Sequence, residues 1–127
     1  MIDQERVAVL HEAAMQLAER GLLERDSFRA RDWFRSALEK ERAAAGLLME
    51  ARDEEPTRSV LFRSAATLAL DCNDYVEAER LIEQGLAGAP PAEIAGELKD
   101  LRRRVRSKRR AAGEARSAEP GRKLRTA

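Results

Sequence analysis

PTRSVLFRSAATLALDCNDYVEAERLIEQGLAGAP, residues 56–90, carries two helical periods with a polar turn between them. Pro56 suits the first turn of a helix, where its missing N–H has no partner to lose. Leu61, Ala65, Leu68 and Cys72 then recur at helical spacing, with Phe62, Ala66 and Ala69 in a second stripe beside them. An apolar arc that wide suits a helix packed on two sides. Cys72-Asn73-Asp74 is the turn, Asp74 caps the next helix, and Glu77 is placed to reach back in a capping box. Tyr75, Ala78, Leu81, Ile82, Gly85 and Leu86 give that helix its buried face. Gly88 suits a left-handed C-terminal position, and Pro90-Pro91 stop one helix and start another.

Working outward, the spacing of Val7, Leu10, Ala14, Leu17, Ala18 and Leu22 predicts a first helix over residues 3–24. Gly21 sits inside it at a cost of roughly 1 kcal/mol against alanine, and admits a close approach by the neighbouring helix. Asp26 or Ser27 caps a second helix over 27–52, about 39 Å long at ~1.5 Å per residue. Phe34, Ala37, Leu38, Ala44, Ala45, Leu48 and Met49 form its inner side, with Trp33 adding to the core. Its far half, AAAGLLMEA, overhangs an ordinary hairpin and needs a cover: the last helix, a second copy of the chain in a homodimer, or a partner. Glu54 and Glu55 complement the dipole of the helix that follows. Beyond Pro91, Ile94, Leu98, Leu101 and Val105 give a fifth helix an apolar edge that stops at Val105.

The central unit resembles the tetratricopeptide repeat, a helical hairpin of about 34 residues. Ala66, Ala78 and Gly85 stand where that family keeps small residues, Ile82 where it keeps a bulky one, and Pro90 near its end. Phe62 and Ala69 replace the usual tryptophan and tyrosine. In FRARDWFRSALEKE, Ala30, Phe34, Ala37 and Leu38 match Ala78, Ile82, Gly85 and Leu86, each pair 48 residues apart. The upstream second helix is therefore about four turns longer than one repeat allows. Ala14, Leu17 and Ala18 then take the packing positions of a first helix. The EPTRSVLFRSAA run also resembles one in short bacterial proteins, a likeness that implies no function.

The resemblance implies an all-α fold of two antiparallel helix pairs (hairpins 3–52 and 56–88) plus a capping helix over 91–112. One domain, 1–112, then carries a disordered basic tail, 113–127. It also implies a concave groove lined by first helices, where partner segments lie. Carried over residue by residue, its lining is Val60, Arg63, Thr67, Leu70 and Asp71, with Glu12, Met15, Glu19, Leu22 and Leu23 upstream. Arg63 could grip a partner carboxylate bidentately with Arg58 assisting, or both could pair with Glu54, Glu55 or Asp71 inside the chain. The basic and asparagine positions of the family's two-carboxylate clamp are lacking.

Composition narrows the function classes. The 127 residues are 37% charged and 4% aromatic, the balance of a helical protein with solvated outer faces. No run nears the roughly 20 apolar residues of a membrane-spanning helix, MIDQER does not read as a signal peptide, and a lone cysteine suits a reducing compartment. A cytoplasmic, non-membrane protein is expected. His11-Glu12 opens like HExxH, but Met15 stands where the second histidine belongs. With one His and one Cys, no zinc set assembles. His11 reads as a surface residue and Cys72 as a buried thiol. No phosphate loop and no nucleophile–base pair are present. The expectation is a non-catalytic protein without cofactor or metal.

Charge is divided along the chain: residues 1–98 hold 12 Lys+Arg against 20 Asp+Glu, and residues 99–127 hold 12 against 3. The run RRRVRSKRR contributes Arg102, Arg103, Arg104, Arg106, Lys108, Arg109 and Arg110. It could neutralise nucleic-acid phosphates or lie on an acidic protein. No aromatic residue follows Tyr75, so base stacking is not on offer. The leading expectation is an adaptor or regulator that holds a protein partner. Non-specific nucleic-acid binding is the alternative.

Overall fold

Short carboxylates set where the helices begin. Asp3 accepts the Arg6 amide at 3.0 Å and starts α1 (Gln4–Leu23). Asp26 accepts the amides of Phe28 and Arg29, both at 3.0 Å, and starts α2 (Ser27–Leu47). Such caps satisfy amides that the first helical turn leaves without partners. After a single 3₁₀ turn, Arg52–Glu54, come α3 (Thr57–Asp71), α4 (Tyr75–Leu86) and α5 (Ala92–Ser117). This computed structural model describes residues 2–117, and among them the fold is all-helical with no strand.

Each helix packs on the next in the chain, and α5 also touches α3. Alternating apolar stripes therefore become one continuous core. Phe62, Leu38, Leu48, Leu81, Ile82, Leu98 and Val105 are its largest enclosed apolar side chains. Alanines at 14, 37, 44, 45, 65, 66, 69 and 78 are fully buried and let the helix backbones approach. Asn73 turns the chain between α3 and α4 in the left-handed conformation, φ 60°, which asparagine tolerates better than most residues. Asp74 caps α4 through the Glu77 amide at 3.2 Å. The Glu77 carboxylate does not reach back to complete a capping box; it bonds Arg80 and Arg42.

Several expectations change. α2 ends at Leu47, not residue 52, because Gly46 weakens the helix and the Leu48 amide turns onto the Ala45 carbonyl at 3.0 Å. Its overhang is covered by α3, which buries Ala44, Ala45 and Leu48 completely. Leu47 in the same stretch stays 36% exposed. Pro56 lies one residue before α3, and the Glu55 carboxylate caps that helix by accepting the Ser59 amide at 2.9 Å. Among the described residues no glycine has a positive φ; Gly88 matters for space, since a Cβ there would overlap the Arg58 guanidinium. Leu22 is 78% exposed and leaves the predicted core. α5 continues through residues 113–117, predicted as disordered tail, because strong helix formers flank Gly113. Residues 118–127 lie outside the described part.

Candidate functional site

The groove residues predicted on α3 divide by burial. Arg58 is 3% exposed. Its Nε donates to the Met49 carbonyl at 2.9 Å, and its terminal nitrogens donate to Gln84 at 2.9 Å and Gly85 at 3.4 Å. One of those nitrogens lies 3.8 Å from Glu55 Oε2, and the guanidinium stacks over the Phe62 ring at 4.9 Å. The side chain thus joins the segment after α2, the start of α3 and the end of α4. Its donors are spent inside the fold. Leu70 is likewise buried in the core.

Arg63 is paired with Glu97 of α5, and its carbonyl accepts the Thr67 hydroxyl at 3.0 Å. Arg63, Thr67, Glu97, Asp100, Leu101 and Arg104 line a shallow hollow of ≈ 240 Å³ between α3 and α5. Asp71 ends α3 with solvent access. Partial burial nevertheless pushes its carboxyl above the ordinary range, and the neighbouring Arg104 and Lys108 pull it back in part. The α3–α5 side of the groove is therefore a polar seam closed largely within the chain.

The α1–α3 side is different. α1 packs on α2 and makes little direct contact with α3, which leaves a cleft of ≈ 320 Å³. Its walls are Gln4, Val7, Ala8 and His11 from α1, and Pro56, Thr57, Val60 and Leu61 from the α3 end. Val60 is half-buried at its edge, the position the groove reading assigned to an apolar contact. Helical spacing continues the Ala8 and His11 row to Met15, half-buried, and Leu22, exposed. Glu12, Glu19 and Leu23 lie exposed beside that row.

Behind the cleft wall, His11 Nδ1 contacts both carboxylate oxygens of Glu41, at 2.9 and 3.0 Å. The Glu41 side chain is 0% exposed and that of His11 42%. From sequence, His11 reads as a surface residue and Glu41 carries no assignment of its own. The missed signal is periodic: Ala37, Glu41, Ala44 and Leu48 form one helical stripe, so Glu41 occupies a core position.

On α5, the basic residues sort by helical face. Arg102 pairs with Glu83 at 2.8 Å and Arg109 with Glu79 at 3.5 Å, both toward α4. Arg104 and Lys108 lie toward Asp71 on α3. Arg103, Arg106 and Arg110 are exposed, and Arg103 bonds Asp100 one turn earlier. The last core residue of α5 is Val105; the helix beyond it carries only polar residues, alanine and Gly113.

Among the described residues, no helix is long and apolar enough to cross a membrane, and no three His, Cys, Asp or Glu side chains gather in a metal-binding arrangement. No protein-family model, no curated protein and no solved structure matches this chain.

Proposed function

We propose that the protein is a non-catalytic interaction module that holds an apolar segment of a protein partner in the α1–α3 cleft. The observation that carries this reading is the cleft itself, ≈ 320 Å³ of mostly apolar wall between two helices that barely touch. Burial of an apolar anchor in such a pocket is the usual source of binding energy at protein interfaces. The row from half-buried Met15 to exposed Leu22 extends the surface along α1, toward the length an amphipathic partner helix needs.

We further read the helices as a tetratricopeptide-like pair of hairpins, a type that suits groove binding. The packing order from α1 to α5 suits it, as do the fully buried Ala66 and Ala78 and the tight seat of Gly85. Relative to the groove expected from sequence, the proposed contact moves from Arg58, Arg63 and Leu70 toward Val60 and α1.

The test is affinity capture with the full chain, followed by titration of the purified captured protein. Val60→Glu places a charge in the cleft and should weaken binding at least tenfold, roughly 1.4 kcal/mol. Val76→Glu changes an exposed valine on α4, 65% exposed, and should leave affinity unchanged. Equal binding by the Val60→Glu protein would remove the cleft from consideration.

A further inference from the structure

The outward flank of α5 carries Lys99, Arg103, Arg106 and Arg110, all exposed. Their spacing of four, three and four residues sets them in one row along the helix, about 17 Å long at ~1.5 Å per residue. Outside this row, Arg102 and Arg109 pair with glutamates of α4, and the exposed Arg104 and Lys108 lie toward Asp71; within it, Arg103 shares a surface ion pair with Asp100. We propose that the row is a contact surface for the phosphate backbone of nucleic acid, a second binding activity independent of the α1–α3 cleft.

Three observations converge on a polyanion of this class. The row has no large apolar side chain: the residues sharing its flank are Gly96, Asp100, Ser107, Ala111 and Glu114. A protein partner draws its energy from apolar or aromatic anchors in desolvated pockets, and this flank offers none. Phosphate neutralisation needs only cations. Second, the chain before Lys99 carries 12 Lys+Arg against 20 Asp+Glu, so the acidic body repels a polyanion and directs it to α5. Third, the row lies on a helix, so its four cations hold fixed axial intervals instead of being spread along a flexible chain. Without an aromatic side chain on α5, base stacking is absent and recognition is of the backbone, indifferent to sequence.

The test is a fluorescence titration of the full chain with a mixed-sequence 20-bp DNA duplex and, separately, a 20-nucleotide RNA strand, between about 50 and 200 mM salt. On the duplex, four phosphate contacts give a log–log salt slope of about −3.6, or a loss of roughly a hundredfold in affinity over that range. Replacing Lys99, Arg103, Arg106 and Arg110 together with Gln should remove about that much slope relative to the parent chain, and each single replacement about one unit. Arg102→Gln with Arg109→Gln leaves the row intact and should change the slope little. A tighter response to duplex or to RNA identifies which nucleic acid supplies the phosphates. An unchanged slope in the fourfold variant overturns the proposal. So does binding of a polyaspartate of equal charge as tight as that of DNA, which would make the row a site for acidic protein. Far-ultraviolet circular dichroism on every variant separates loss of binding from loss of helix.

Discussion

His11 and Glu41 form a pair in which one partner has no access to water and the other has much of it: the Glu41 side chain is enclosed, whereas that of His11 is 42% exposed. One imidazole nitrogen serves both oxygens, at 2.9 and 3.0 Å. The contact fastens α1 to α2 beside the cleft that the partner would enter.

Removing one side of the pair should cost far more than removing both. His11→Ala removes the imidazole that bonds and covers the Glu41 carboxylate and should lower stability by about 1–3 kcal/mol. Glu41→Met fills similar volume without a polar group and should be neutral or mildly stabilising, and it should rescue His11→Ala. Urea denaturation of the two single variants and the double variant checks this. Additive losses would mean that the two residues act separately.

Arg58 is predicted to be a stability residue. Arg58→Ala removes donors from the carbonyls of Met49, Gln84 and Gly85 and should destabilise the fold by about 3 kcal/mol. Arg58→Lys keeps the charge but not the planar fork, and should recover only part of that loss. A denaturation midpoint unmoved in Arg58→Ala would contradict the internal role.

The glycines should separate by what surrounds them. Nothing lies within 4 Å of a Cβ built on Gly46, so Gly46→Ala should gain up to about 1 kcal/mol of helix propensity. At Gly21 a Cβ would come 2.7 Å from the Phe34 ring, and at Gly85 it would lie 3.1 Å from both Leu98 and Phe62. Gly21→Ala and Gly85→Ala should each lower stability by about 1–3 kcal/mol, the usual cost of overpacking. Thermal melts of the three variants provide the comparison.

Burial pushes the Cys72 thiol up from its ordinary value, against the pull of the nearby Arg35, while Asp74 adds to the rise. Because the folded thiol holds its proton longer, the unfolded chain ionises first as pH rises. Stability linked to Cys72 is therefore intact below the ordinary thiol range and declines as pH climbs through it. Alkylation of the native protein at pH 8 should be slow and should accelerate in step with denaturant-induced unfolding. Rapid labelling with the helices intact would show the thiol to be open to solvent.

The helices were legible in the sequence because their signals are local. The stripe from Leu61 to Cys72, the Asp26 and Asp74 caps, and the turn at Cys72-Asn73-Asp74 depend on neighbours a few residues away. Arg58, Glu41 and Leu22 were harder to place because burial of a charged residue, or exposure of an apolar one, is decided by other helices. Arg58 became structural when the ends of α2 and α4 came within reach of its guanidinium. Leu22 stayed outside because α1 leans on α2 and away from α3. Gly88 looked like a conformational requirement from its place after a helix, whereas its lack of a side chain makes room for Arg58.

The order in which the helices pack also bears on how fast the chain finds its fold. Every principal contact joins elements that are consecutive or one apart in sequence, so folding closes only short loops before apolar burial begins. Chains of this kind reach the native state in roughly microseconds to milliseconds. α3, which touches α2, α4, α5 and the 3₁₀ turn, is the element whose early formation would speed every later step. Core truncations in α3, such as Phe62→Leu, should therefore slow folding, whereas Val105→Ala in α5 should chiefly hasten unfolding.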